Sequence, residues 1–106
     1  MSNPVIETVL FELEDGVSDA DFRATLPAST AFIESCPGFL RRCLSASGDG
    51  QWIDHIEWAD MASAKAAAAR IGQDETVHPF VSKISGPSVR MHHTETAILV
   101  EASASD

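Results

Sequence analysis

At 106 residues with 44% apolar side chains, the chain has the size and composition of one globular domain with a single modest core, taken as residues 1–106. Sixteen acids against seven lysines plus arginines give a formal charge of −9, a field that repels phosphate backbones and anionic lipid and so counts against nucleic acid and membrane partners. No apolar run approaches the ~18 to 20 residues needed to span a bilayer, and the opening MSNPVIETVL lacks the basic start of a secretion signal, which predicts a cytoplasmic protein.

Val5 to Glu14 is rich in β-branched and aromatic residues and reads as a strand. Val5, Glu7, Val9, Phe11 and Leu13 share one face, and Ile6, Thr8, Leu10 and Glu12 share the other. Both faces are largely apolar, as in a central strand. Ser18 then offers an N-cap, with Asp19 and Asp21 in the first turn of a helix that Pro27 should kink or break and Pro37-Gly38 should stop. Phe39 to Ala46 is a second strand, in which Arg41 and Arg42 point to opposite faces. Ser47 to Gly50 is a tight turn, so the strand that follows pairs with it as an antiparallel hairpin.

In that third strand Trp52, Asp54, Ile56 and Trp58 lie on one face, and Ile53, His55 and Glu57 on the other. Asp60 caps an alanine-rich helix with Met61, Ala64, Ala68 and Ile71 as its stripe, and Gly72 is placed to close it in a left-handed cap. So slim a helix over so bulky a strand leaves either close backbone packing or a pocket beneath the helix. A short helical segment around Pro79, with Phe80 and Ile84 as its buried pair, leads through Ser85-Gly86-Pro87-Ser88 to a last strand over Val89 to Val100.

The order β-α-β-β-α-β predicts an α+β, ferredoxin-like fold: a four-stranded antiparallel sheet with helices on one face. Its other face would leave Ile6, Thr8 and Leu10 in water, so two such sheets are expected to stack face to face in a homodimer.

Among the polar residues, Asp54 is the hardest to place in a dry core. A carboxylate beneath a helix is costly unless paired or solvated, which favours a wet pocket, and Glu7 on an apolar face raises the same point. His55 with Glu57, and His93 with Glu95, each put an imidazole and a carboxylate on one strand face. Either pair could act as an acid–base couple, and Glu7 could join them from the strand between. No ligand spacing marks a metal site; Cys36 and Cys43 read as small buried apolar side chains. Trp52 and Trp58 fill the core against the alanine helix or wall a pocket.

Pro37-Gly38-Phe39, the hairpin, the Trp58-Ala59-Asp60 junction and the late His78-Pro79-Phe80 together make the chain resemble the dimeric α/β-barrel superfamily, most nearly its antibiotic biosynthesis monooxygenase-like branch. That resemblance implies two sheets forming a barrel between subunits and a pocket between each sheet and its helices. Members oxidise planar polyphenols without a cofactor, degrade haem or isomerise lactones. His78 lies near the position of the iron-ligating histidine of the haem-degrading members. Their second tryptophan falls within Ala66 to Ala69 and their first-strand asparagine near Glu7 or Val9, which argues against haem degradation here.

The reading reached is a homodimeric, monooxygenase-like enzyme acting on a small planar organic molecule with no cofactor. Trp58 and Trp52 are its pocket walls, and His78, Asp54 and Glu7 its proton-transfer groups. The alternatives are a non-catalytic ligand-binding or stress-associated dimer of the same fold and an acid–base isomerase or lyase.

Overall fold

A computed structural model of the chain describes residues 3–103; residues 1–2 and 104–106, the ends of the expected domain, lie outside them. The elements in order are β1 (Val5–Phe11), α1 (Asp19–Arg23), α2 (Leu26–Ser35), β2 (Phe39–Ala46), β3 (Trp52–Trp58), α3 (Met61–Ile71), α4 (His78–Ser82) and β4 (Arg90–Glu95). Single 3₁₀ turns at Glu75–Val77 and Gly86–Ser88 lead into α4 and β4. The strands pair antiparallel in the order β2-β3-β1-β4, which is the ferredoxin-like α+β arrangement.

Local chemistry explains most of the boundaries. The Ser18 hydroxyl accepts from the Asp21 N–H at 3.0 Å and opens α1. Pro27 sits in the first turn of α2, so it starts a second helix after the break at Ala24-Thr25 instead of kinking a continuous one. The Asp60 carboxylate accepts from the Ser63 N–H at 2.8 Å and opens α3. Gly72 closes α3 with φ −74°, an ordinary right-handed value, so the left-handed cap read from the sequence is not used.

Two strands are shorter than their hydrophobic runs. β1 stops at Phe11, leaving Leu13 in an isolated bridge to Ile84. β4 stops after Glu95 because β1 begins at Val5: the Thr96 N–H still reaches the Pro4 carbonyl at 2.8 Å, and beyond it no strand remains to pair with.

The inward face of the sheet carries Val5, Glu7, Val9 and Phe11 of β1 and Trp52, Asp54, Ile56 and Trp58 of β3. Apolar packing divides into two clusters. One joins Val5, Ile56 and Trp58 to Phe32, Ile33, Ala64, Ala67 and Val77; the other joins Phe11 and Trp52 to Phe22 and Phe80. Each large side chain so buried contributes roughly 1.5–3 kcal/mol. Ala64 and Ala67 are buried in the same cluster as Trp58, so among the described residues α3 packs its small side chains against the indole.

Gly38 lets the α2–β2 turn approach the start of α3. Its φ is +87°, a side chain there would overlap Ser63, and its carbonyl accepts from the Ala59 N–H at 2.7 Å. Of the two cysteines Cys36 is buried, whereas Cys43 is exposed on the outer face of the sheet, contrary to its reading as a core side chain. The cause is parity: Arg42 and Leu44 take the inward positions of β2, which turns Cys43 outward.

Candidate functional site

A polar layer separates the two apolar clusters. On β1 Glu7 lies between Val5 of one cluster and Val9 of the other, and on β3 Asp54 lies between Ile56 and Trp52. Glu7 is only 6% exposed. It stands opposite Ile56 of β3 on one side and His93 of β4 on the other.

The Trp58 Nε1–H donates to Glu7 Oε1 at 2.9 Å, and His93 Nε2 is 3.7 Å from the same oxygen. That second separation is too long for a hydrogen bond. The imidazole nitrogen is itself buried and has no partner among the described residues. Burial pushes the Glu7 carboxyl above its ordinary range; the Trp58 hydrogen bond and His93 oppose the rise, and the Asp54 charge adds to it. The chain thus holds a carboxyl with a bias toward its neutral form beside an imidazole with an unused nitrogen. Such a couple can pass a proton to or from a third group inserted between them. β4 is an edge strand of the sheet, so His93 stands on the edge itself and Glu7 one strand in.

Asp54 is compensated differently. Arg42 Nε and Nη2 donate to its two carboxylate oxygens at 3.0 and 2.8 Å, with side-chain exposures of 8% and 6% for Arg42 and Asp54. Arg42 Nη1 also donates to Ser29 Oγ and Thr30 Oγ1, each at 3.0 Å, and the guanidinium lies 5.4 Å from the Phe80 ring centre. Planar fork against planar carboxylate, with the remaining N–H groups taken by α2, is the geometry in which a buried charge pair is tolerated. A counter-ion, not water, answers the burial of Asp54.

The residues singled out in the sequence therefore divide. Glu7 and Trp58 meet, and Asp54 is near enough to act on Glu7 through its charge. Trp52 belongs to the other cluster, 4.8 Å edge-on to Phe22 and 6.5 Å stacked on Phe11, with the Arg23 guanidinium 5.2 Å from its ring centre. His78 stands apart, exposed at the start of α4 in an open hollow of about 420 Å³ that it shares with Gly72 to Glu75 and Pro79. His93 faces Glu7 across the ladder. His55 and Glu57 lie on the outer face, where Arg41 Nε meets Glu57 Oε1 at 2.5 Å. No three metal-ligating side chains converge among the described residues. Arg42 is the interior residue that sequence reasoning left without a role. Hairpin parity carried the signal, since Ala46 opposite Trp52 turns the even-numbered residues of β2 inward.

No protein-family profile and no curated protein matches the sequence. Solved structures do match the fold. SnoaB, a cofactor-independent oxygenase from Streptomyces nogalater, superposes with a TM-score of 0.70 at 16% identity, over 99% of this chain and 100% of its own. A putative antibiotic biosynthesis monooxygenase from Bordetella bronchiseptica gives 0.73 at 13% identity, over 92% and 100%. A heme-degrading protein from Mycobacterium tuberculosis gives 0.66 at 17% identity, over 96% and 100%. No helix among the described residues is long and apolar enough to cross a membrane. In the arrangement of its strands and helices, the chain has the ferredoxin-like fold of the antibiotic biosynthesis monooxygenase-like proteins.

Proposed function

We propose that the chain is a homodimeric, monooxygenase-like enzyme that takes a proton from a hydroxyl of a planar, electron-rich organic molecule at the Glu7–His93 couple. The observation that carries this reading is the buried, unpartnered His93 Nε2 held 3.7 Å from a carboxyl that burial biases toward its neutral form. His93 accepts the substrate proton, the imidazolium that results draws Glu7 toward its ionised form, and Trp58 holds that carboxylate by its hydrogen bond. The substrate anion then gives electrons to dioxygen, as suits the fold shared with a cofactor-independent oxygenase. Substrate would approach over the open β4 side, since Trp58 and the alanines close the space beneath α3.

The homodimer has two supports. The outer face of β1 and β3 carries Ile6, Leu10 and Ile53. Its charges are balanced, with Arg41 and Arg90 against Glu57 on the strands and Glu101 of the tail.

Oxygen uptake with a panel of quinols tests the reading. Glu7→Gln and His93→Ala should each lower the rate by roughly 10²–10⁴-fold while His78→Ala leaves it unchanged. Full activity in both of the first two variants would remove the couple from the mechanism, and loss in His78→Ala would move the site to α4. The close packing of Trp58 under α3 favours one rival, a non-catalytic binder, which would bind an aromatic dye without consuming oxygen.

A further inference from the structure

Two residues of the edge strand flank His93 and take no part in the proton transfer proposed above. β4 pairs with β1 in the register Val5–Glu95, Glu7–His93 and Val9–Met91, and the three β1 members of these pairs face inward. Met91, His93 and Glu95 therefore form one inward stripe along the edge of the sheet, with about 7 Å between successive members. The His93 side chain is 19% exposed, Met91 is 47% exposed, and Glu95 is also exposed. Of the three acids on the inward faces of β1, β3 and β4, Glu7 is buried beside His93 and Asp54 is matched by Arg42. Glu95 has no ion-pair partner among the described residues. Arg90, the arginine of the same strand, stands opposite Leu10 and so belongs to the outer face.

We propose that Glu95 and Met91 set the substrate class of this site: a phenol or catechol that carries a protonated amine on a short arm. The inference rests on the Glu7–His93 reading. A ring seated over His93 with a hydroxyl turned inward has Met91 at one edge and Glu95 beyond the other. The thioether suits an aromatic edge. Glu95 is a full negative charge on a chain of net charge −9, which draws an ammonium and turns away a carboxylate. The ammonium also favours the chemistry. When the hydroxyl gives its proton to His93, an amine-bearing phenol becomes a molecule of zero net charge, whereas a carboxylate-bearing phenol becomes a dianion that Glu95 opposes.

The test measures binding to the whole chain without oxygen, by the change in tryptophan fluorescence. Its probes are three catechols that differ only at the end of a two-carbon arm: ammonium, methyl or carboxylate. Wild type should bind the ammonium form roughly 3- to 10-fold more tightly than the carboxylate form, with the methyl form between, and added salt should narrow the gap. Glu95→Gln should bring that ratio toward one, and Glu95→Lys should reverse it. Glu34→Gln removes an exposed acid of α2, changes the net charge equally and should leave the ratio at its wild-type value. Met91→Ala should weaken all three catechols alike; binding that it leaves unchanged removes Met91 from the assignment. Equal binding of the three by wild type, or a ratio that Glu95→Gln does not move, overturns the role of Glu95. So does a ratio that Glu34→Gln shrinks as far, since net charge then does the selecting. Binding of none of the three by a chain that takes up oxygen with quinols overturns the substrate class and leaves the Glu7–His93 couple standing. No binding and no oxygen uptake with any quinol overturns both.

Discussion

An ionised carboxylate inside a protein is stable only as far as its surroundings replace water, and Glu7 has one indole donor and a distant imidazole for that purpose. The folded chain therefore holds the Glu7 proton more tightly than the unfolded chain does, and between the two values folding is opposed increasingly as pH rises. The penalty is absent below the ordinary value of 4.5, grows as pH climbs through the raised folded value, and is full above it. Glu7→Gln keeps an acceptor for Trp58 and cannot ionise. It should melt a few degrees higher than wild type near neutral pH, with the gain shrinking to nothing as pH falls toward about 4. Calorimetry of both proteins across that range checks this, and a pH-independent difference would assign the effect to packing instead. The flag for Glu7 was visible in the sequence, as an acid within an apolar stripe. Its contact with Trp58 was not, because that depends on the β1–β3 register, which pairs Val5 with Trp58 and leaves Glu7 a diagonal away.

The Arg42–Asp54 pair ties three elements, β2, β3 and α2, across the seam between the apolar clusters. Removing one partner strands the other charge in the interior, so Asp54→Ala should cost about 3–5 kcal/mol, as should Arg42→Ala. Replacing both, as Arg42→Met with Asp54→Leu, should cost far less, from neutrality to a gain of ~1–4 kcal/mol. Urea unfolding of the four proteins closes the cycle; equal and additive losses would show that the pair contributes packing alone. Elements of this kind were legible unevenly. The order of elements along the chain and the hairpin followed from alternation and from Ser47 to Gly50, because those signals are local. The split of the first helix at Ala24-Thr25 did not, since a proline inside an apolar run is equally consistent with a kink and with a new start. The wet pocket inferred from Asp54 failed for a related reason: its counter-ion comes from a neighbouring strand, and only the parity of β2 decides that Arg42 rather than Arg41 enters.

At the scale of the whole molecule, the two faces of the sheet have opposite tasks. The inner face is covered by the four helices of the described residues, while the outer face keeps Ile6, Leu10 and Ile53 partly open, with Leu99 of the tail lining a hollow beside Ile6. Arg41 Nη1 reaches Glu101 Oε2 at 3.4 Å, and Ile98 and Val100 on either side of Leu99 are 79% and 81% exposed. An apolar surface so placed, on a chain whose remaining charge is strongly negative, is stable in water when a like surface covers it. Leu10→Glu with Ile53→Glu turns this charge-balanced face acidic in both copies at once. Like charges set against each other across a dry interface cost several kcal/mol, a weakening of roughly 10²-fold or more. By sedimentation the wild type should give the mass of two chains, as the proposed homodimer requires, and the double variant at the same concentration the mass of one. Its near-ultraviolet circular dichroism should stay that of the parent, because neither residue reaches the clusters around Trp52 and Trp58. A variant that keeps the wild-type mass would show that the outer face is not where the copies meet, and the paired sheets would have to be given up while the inner Glu7–His93 couple stood unaffected.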